Sequence, residues 1–296
     1  MNRDVILENK LYKCFDVLLR EEKSINDEVY NKSTELSREI REYIKTSDIE
    51  SRDYVNDDIF KLKYGFKYEL WGKKITISVV YTHFKDINCF NEYKSNIEYS
   101  DAQTNFVGRN NIFLFIKCYG ISGDIKYQDL CDGVQHELNH LYQDIRGSKT
   151  INNFSIDLLY NKAISRLNNK VEFIDRCAWL IYFSYDFEQD GYLNGMYAYF
   201  MSDEEKIPNW DEIREMSIYK CIKTIRDNLI WLKKCKVTNE YREMLKEEFN
   251  ISFDWLLKFG ERGLKRIIRK MSNVLEKIKK DKNVKTLGYG LHPFIY

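Results

Sequence analysis

Hydrophobic residues recur at helical spacing over most of this 296-residue chain. They follow an approximate helical period from residue 4 to about residue 46, again over 153–183 and 186–202, and almost without interruption from 210 to about 281. Only two prolines are present in the whole chain to interrupt such helices. The pattern therefore predicts a mainly helical protein.

The pattern changes to that of β-strands in two places. Residues 64–84 and 111–119 are rich in the β-branched and aromatic side chains that favour strands. Within the first of these segments, Trp71-Gly72-Lys73-Lys74 is typical of a hairpin turn. We therefore expect an α+β protein, mainly helical, in which a small β-sheet precedes most of the helices.

The segment after the second strand predicts an amphipathic helix. Its apolar residues recur at spacings of three and four and form one stripe, which consists of Leu130, Val134, Leu138, Leu141 and Ile145. Asp129 is positioned to cap this helix, with Asp132 in its first turn, and Gly147 falls where a helix C-cap is expected. At 100° per residue, His136 and His140 project about 140° from the centre of the stripe. The two histidines therefore share a face of their own.

His136-Glu137-Leu138-Asn139-His140 contains two of the only four histidines in the chain. The spacing of four places both imidazoles one turn apart, where they can bind one metal ion, and Glu137 then lies beside a metal-bound water. The alternative is a pair of ordinary surface histidines on an amphipathic helix. The helix caps, the apolar stripe and the central glutamate favour the metal site.

A catalytic zinc site usually has three protein ligands, so one more is needed. The remaining histidines, His83 and His292, lack a supporting local pattern and are more typical of packing or surface residues. The seven cysteines are scattered and include no CxxC pair, which argues against a thiolate site. A carboxylate is therefore the better candidate.

Glu188 is the carboxylate that the pattern favours. Asp186 with Gln189 three residues later fits a start similar to a capping box, which places Glu188 in the first helical turns. Asp190 is the alternative ligand, although it points nearly opposite on the helix. An acidic residue near a helix start is also explained by the helix dipole alone, so the prediction depends on the upstream histidines.

The face that carries Glu188 also carries two glycines and two tyrosines. Gly191, Tyr192, Gly195 and Tyr199 lie within about 60° of Glu188 on a helical projection. Glycine lowers helix propensity, so two on one face need a reason. We expect them to let this helix approach another helix closely, as a shared metal ion would require.

The HExxH motif followed by a glutamate on a separate helix resembles the gluzincin branch of the zincin metallopeptidases. Glu188-Gln189-Asp190-Gly191 is also similar to the Glu-x-Glu-Ala form of the second motif in some members, with Asp190 and Gly191 in place of the second glutamate and the alanine. The resemblance extends from the strand at residue 111 to the helix that ends near residue 200. The flanking helical regions match no motif.

The resemblance implies a zinc-dependent peptidase with one Zn²⁺ per chain, held by the two histidines and Glu188, and a peptide or protein as its substrate. Glu137 would be the general base that takes a proton from the metal-activated water. Tyr192 and Tyr199 are the candidates for stabilising the oxyanion, although packing explains either of them better in a chain with 22 tyrosines. By analogy, the 111–119 strand would pair with an extended substrate.

The resemblance also divides the chain into three parts. These are a helical N-terminal region (1–60), a zincin-like catalytic core (61–205) and a helical C-terminal region (206–296), although all three could form one compact domain. Two alternatives to a peptidase stay open at this point. One is a binding or structural protein that keeps a zincin scaffold without turnover, and the other is a helical nucleic-acid-binding protein in which HExxH is incidental.

Charge distribution bears on the last alternative. Residues 258–285 contain eleven Lys/Arg and three Asp/Glu, and their apolar residues form a helical stripe. Such a helix could bind nucleic acid, a membrane surface or a partner helix, but packing against the body of the protein explains it better. The net charge of the whole chain is only +1, so a nucleic-acid partner is not expected.

Composition also bears on location. No apolar run is long enough for a membrane span, and the N-terminal residues lack the apolar core of a signal peptide. Scattered cysteines in an odd number are typical of a reduced intracellular protein. We therefore expect a cytoplasmic protein without a membrane span.

Overall fold

A computed structural model describes most of the chain between residues 26 and 284. The described ranges are 26–46, 53–56, 58–93, 101–107, 111–122, 124–145, 171–203, 207–235, 239–249 and 251–284. Within them, the helices are α1 (Asp27–Thr46), α2 (Ile87–Tyr93), α3 (Tyr127–Ile145), α4 (Val171–Ser184), α5 (Asp186–Met201), α6 (Trp210–Glu215), α7 (Ser217–Lys234), α8 (Asn239–Phe249) and α9 (Phe253–Asp281). The strands are β1 (Asp53–Asn56), β2 (Ile59–Leu70), β3 (Lys73–Phe84), β4 (Asp101–Val107), β5 (Asn111–Ile121) and β6 (Asp124–Ile125). The predicted class, α+β and mainly helical with the sheet ahead of most helices, is confirmed.

The six strands form one sheet in the order β1-β2-β3-β5-β4, with β6 added to the end of β5. β3 and β5 are parallel, and the other neighbours are antiparallel. The predicted hairpin turn is confirmed, because β2 ends at Leu70 and β3 begins at Lys73. Trp71 and Gly72 between them both have positive φ values, 50° and 72°, as a two-residue type I′ turn requires.

The sheet begins earlier in the chain than we predicted. β1 and the first residues of β2 lie within 1–60, the region expected to be helical, so that expectation is wrong beyond α1. The start of β2 alternates between buried and outward-facing side chains, but the lysines on either side of Leu62 hide this strand pattern in the sequence. Leu62 is buried, while Lys61 and Lys63 face away from the core. β4 was also missed, because this edge strand is largely polar.

One face of the sheet is covered by α1 and α3. The buried side chains between the sheet and these two helices include Leu62, Leu70, Ile75, Ile77, Val79, Ile112, Leu114 and Ile116 of the sheet, together with Val29, Leu36, Ile40, Leu130, Val134 and Leu138 of the helices. α1 therefore packs with the sheet in a shared hydrophobic cluster.

A second hydrophobic cluster joins the C-terminal helices to α4 and α5. Its buried members include Phe173, Leu180, Ile181, Leu193, Met196, Ile222, Ile225, Leu256, Ile267, Met271, Leu275 and Ile278. The stripe predicted within 258–285 thus packs against the body of the protein, as expected. α9 begins after Ser252, whose hydroxyl accepts a hydrogen bond from the backbone N–H of Trp255.

Two further predictions concern membrane-spanning helices and the state of the cysteines. Within the described ranges, every helix is too short or too polar to cross a bilayer. All six cysteines in these ranges are free thiols, and four of them are buried. The expected cytoplasmic location stays a prediction.

Candidate metal centre

The helix that carries the two histidines, α3, buries the predicted apolar stripe. Leu130, Val134, Leu138 and Leu141 are each at most 2% exposed. The predicted cap is wrong, because α3 begins two residues before Asp129, at Tyr127. The Asp129 carboxylate instead accepts a hydrogen bond from the Tyr119 hydroxyl at 2.9 Å. Gly147, the expected C-cap, lies outside the described residues.

α5 approaches α3 at its two glycines. A Cβ atom added to Gly191 would lie 2.8 Å from Nδ1 and Cε1 of His136. A Cβ atom added to Gly195 would lie only 1.9 Å from Oδ1 of Asp132. The predicted reason for these glycines is confirmed, since a side chain at either position would push the two helices apart.

This close approach brings Glu188 of α5 to the two histidines of α3. Nε2 of His136 and Nε2 of His140 are 2.9 Å apart, and Oε2 of Glu188 lies 3.7 Å from each of them. A circle through these three atoms has a radius of about 2.0 Å, which agrees with the Zn–N and Zn–O distances of about 2.0–2.2 Å in protein sites. The three donor atoms are therefore close enough together to bind one metal ion.

The Glu188 carboxylate is buried, and one of its oxygens lacks a hydrogen-bond partner within the described ranges. Glu188 is only 4% exposed, and its Oε2 atom has no hydrogen-bond partner among the described residues. A buried carboxylate oxygen without a partner is costly, because it has lost its hydration without replacement. Bound cations satisfy such oxygens, so this atom favours a metal ion between Glu188 and the histidines.

The environment also favours a neutral His136. Burial lowers the pKa of His136 well below its usual value, and the neighbouring His140 lowers it further. Burial acts in the same direction on His140, but the carboxylates of Glu188 and Glu137 outweigh it and raise the pKa of His140. Metals bind the neutral imidazole, and a metal ion would displace any proton that His140 shares with Glu188.

Glu137 lies at the side of the same group of donors. Its Oε1 atom is 3.8 Å from Nε2 of His136, and the potential ligand atoms of His136, Glu137 and His140 lie within 4.8 Å of one another. Glu137 is 6% exposed. A carboxylate at this place is close enough to exchange a proton with a water molecule held at the donors.

The alternative ligand and the predicted cap of α5 are engaged elsewhere. Oδ1 of Asp190 lies 2.7 Å from Nζ of Lys270 on α9. Asp186 does not cap α5: the N-cap residue is Tyr185, which makes no side-chain cap bond. The capping-box prediction is therefore wrong, because the Asp186 carboxylate instead lies 2.6 Å from the guanidinium of Arg266. Glu188 is the acid of this turn that faces the histidines.

Of the two other histidines, the structure describes only His83. His83 lies on β3, where its ring stacks on Phe60 at a centroid distance of 4.4 Å and contacts the Tyr81 hydroxyl at 3.5 Å. It therefore has the packing role that we expected. His292 lies outside the described residues.

The two predicted tyrosines lie at different distances from the donors. The Tyr192 ring packs on the His136 ring, with their centroids 4.5 Å apart. Tyr199 follows Glu188 by eleven residues, which corresponds to about 16 Å along a helix axis. It packs edge-on against Phe200. The structure thus brings Tyr192 to the site, but not Tyr199.

The sequence did not single out Tyr182 of α4, which also reaches the site. Glu188, Glu137 and Tyr192 are all near enough to its hydroxyl to affect its ionisation. Burial and these neighbours raise the pKa of Tyr182 far above its usual value. The one hint in the sequence is a group of aromatic residues, Trp179, Tyr182 and Phe183, just before the predicted end of a helix near Ser184.

The expected role of β5 in binding substrate is wrong. β5 lies between β3 and β4, and its backbone is paired with both of them. β4 is the strand at this edge, since no described strand lies beyond it, and it contacts α3.

Comparison with known proteins does not assign this chain to a family. No protein-family model matches the chain, and neither does any curated protein or any solved structure. The likeness to gluzincins therefore rests on His136, Glu137, His140 and Glu188 and on their arrangement.

Proposed function

We propose that this protein is a zinc-dependent metallopeptidase in which His136, His140 and Glu188 hold one Zn²⁺ per chain. The observation that carries the proposal is the triangle of three donor atoms, which has the size of a zinc site and contains a buried carboxylate oxygen without another partner. The side chains of the two histidines are not fully buried, since they are 12% and 15% exposed.

Zinc bound at such a site lowers the pKa of its water to about 7 and polarises a substrate carbonyl. Glu137 takes the proton from the attacking water and passes it to the leaving amine. Glu137 acts as a base and not as a ligand in this proposal, because Glu188 already supplies a carboxylate oxygen that lies 3.7 Å from both histidines.

Tyrosine hydroxyls supply donors for the charge that develops on the carbonyl oxygen. Burial raises the pKa of Tyr192 well above its usual value, and the carboxylate of Glu188 raises it further. The pKa of Tyr182 is raised by the same causes. Both phenols therefore keep their protons at neutral pH and are able to donate a hydrogen bond. Tyr199 has no role in this proposal.

The backbone of an extended peptide or protein substrate pairs with the edge of β4 that no described strand occupies. Edge strands offer unpaired N–H and C=O groups to such a segment. β4 is antiparallel to β5 and contacts the helix that carries both histidines, which supports this placement.

Metal analysis tests the ligand set. The purified wild type is expected to contain about one zinc per chain, and His140→Ala and Glu188→Ala are each expected to lose it. His83→Ala is the matched control, because it removes a histidine that packs in the sheet, and it should retain the metal. Full zinc retention in Glu188→Ala would exclude Glu188 as the third ligand.

Peptide hydrolysis tests the reaction. Glu137→Gln is expected to keep the metal and lose cleavage of a mixed peptide library followed by mass spectrometry. Cleavage at the wild-type rate in Glu137→Gln would contradict the role of the base. A zinc-loaded wild type that cleaves none of the peptides would instead favour a binding protein on the same scaffold.

A further inference from the structure

Four aromatic side chains form a continuous surface beside the proposed zinc site. This aromatic wall consists of Trp179, Tyr182 and Phe183 of α4 and Tyr192 of α5. The Trp179 ring stacks on Phe183 at a centroid distance of 5.4 Å and an interplanar angle of 19°. It also meets Tyr182 edge-on at 5.8 Å.

The wall connects the protein surface to two of the proposed ligands. Phe183 lies 6.0 Å from Tyr192, and Tyr192 lies 4.5 Å from the ring of His136. At the other branch, Glu188 is near enough to Tyr182 to raise the pKa of its hydroxyl. The branch through Tyr192 thus consists of direct ring contacts, and the wall ends where the scissile bond of a substrate would lie.

None of the four rings is fully buried. Trp179 is 39% exposed, which makes it one of the few large apolar side chains at the surface of the described residues, and the other three are partly exposed. An aromatic side chain contributes a large apolar area, and leaving it in water forgoes the free energy of burial. A ligand that covers these rings would recover that free energy.

The chemistry of the wall selects the ligand. None of its four side chains is charged, and Arg176, the basic residue one turn earlier on α4, is hydrogen-bonded to Glu172 and Asn228. The wall thus offers ring faces and two phenolic hydroxyls but no ionic partner. A charged side chain placed there would lose hydration without compensation, whereas an apolar one would gain contacts.

We propose that the aromatic wall binds an aromatic or large aliphatic side chain of the substrate next to the scissile bond. The inference rests on the proposed peptidase function, and it adds the substrate class: peptides with such a residue at the cleavage site, in preference to acidic ones. Hydrophobic pockets typically discriminate by about 10-fold or more between side chains that differ in apolar surface.

Two peptides of one neutral sequence provide the test, one with Phe and the other with Asp at the central position. Zinc-loaded wild type is expected to have a kcat/KM at least about 10-fold higher for the Phe peptide. Trp179→Ala is expected to lose most of this preference through a higher KM for the Phe peptide. Ile87→Ala is the matched control, since Ile87 is 52% exposed on α2, a helix that contacts β3 of the sheet, and it should keep the preference.

Calorimetric binding to zinc-loaded Glu137→Gln, which does not turn over, separates the two proposals. Tighter binding of the Phe peptide that Trp179→Ala abolishes supports the wall even if no peptide is cleaved, and in that case only the peptidase function fails. Equal binding and equal cleavage of both peptides by the wild type would overturn the wall and leave the peptidase function standing. A wild-type dimer that Trp179→Ala dissociates would also overturn it, because the wall would then be an interface between copies.

Discussion

Arg266 and Asp186 form a buried ion pair, with 2.6 Å between the guanidinium Nε and the carboxylate Oδ1. The same guanidinium donates hydrogen bonds to the side chain of Gln189 and to the backbone carbonyl of Ser184. These partners surround the turn of α5 that carries Glu188. The basic helix α9 therefore uses one of its arginines to fix the position of a proposed zinc ligand.

Replacing this arginine should affect both folding and the metal. Arg266→Met leaves buried acceptors without their donor, so we expect a loss of about 3 kcal/mol in the free energy of unfolding. Because Glu188 is then less constrained, zinc affinity should fall about 10-fold or more. Urea unfolding and a zinc titration measure the two effects.

Lys265→Met is the matched control for Arg266→Met, because it removes a charge from the exposed face of the same helix. Its stability should stay within about 0.5 kcal/mol of the wild type. If Arg266→Met behaves like this control in both measurements, the ion pair does not hold the α5 turn.

The parts of the site that the sequence predicted depend on short-range periodicity. His136 and His140 share a face because they are four residues apart on one helix, and Glu188 shares a face with its glycines for the same reason. The Asp186 cap was predicted by the same local logic and failed. Its partner Arg266 is 80 residues further along the chain, so no local pattern reveals it.

Residues that depend on tertiary contacts were the ones missed. Tyr182 is one of 22 tyrosines, and only the packing of α4 against α5 distinguishes it from the others. β4 was missed because an edge strand needs few apolar residues. The edge position of β4, and not of β5, follows from a strand order that differs from the order along the chain.

Because α5 lies close to α3 at Gly191, we expect a side chain at this position to disturb the metal site. Alanine usually stabilises a helix interior relative to glycine by about 1 kcal/mol, but here its Cβ would lie 2.8 Å from the His136 ring. Gly191→Ala is therefore expected to displace His136 and to lower zinc affinity about 10-fold or more, as measured by competition with a chromogenic chelator. Gly65→Ala is the control, since its nearest neighbour would be at 3.7 Å, and it should bind zinc normally. An unchanged affinity in Gly191→Ala would argue against the ligand role of His136.

Tyr182 and Tyr199 should differ in their effect on the site. Tyr182→Phe removes a hydroxyl that lies near enough to Glu188 for the two groups to affect each other's charge, so we expect zinc affinity to fall about 10-fold, as is typical when a group that supports a metal ligand is lost. Tyr199→Phe should leave the affinity unchanged, because Tyr199 packs against Phe200 away from the donors. Isothermal titration of the metal-free proteins with zinc makes the comparison. A loss of zinc affinity in Tyr199→Phe but not in Tyr182→Phe would show that Tyr199 supports the site and that Tyr182 does not.

The carboxyl of Asp132, which is packed against Gly195 of α5, makes stability depend on pH. Burial, with a smaller contribution from the nearby Asp129, raises the pKa of Asp132 from 3.8 to about 7. The folded protein thus holds a proton here between about pH 4 and pH 7 that the unfolded chain has lost. Stability from this group is fully present below about pH 4 and is lost as the pH rises through about 7.

Asp132→Asn should remove this dependence, since the amide keeps the shape of the protonated carboxyl and does not ionise. The variant is expected to match the wild type near pH 4 and to become more stable than it towards pH 8, by on the order of 4 kcal/mol at most. Urea unfolding at several pH values, with metal removed by a chelator, isolates this group from metal binding. Asp211→Asn is the control for the chemical change itself, because the Asp211 side chain is 93% exposed. A difference between Asp132→Asn and the wild type that does not change with pH would show that Asp132 is ionised in the folded protein throughout this range.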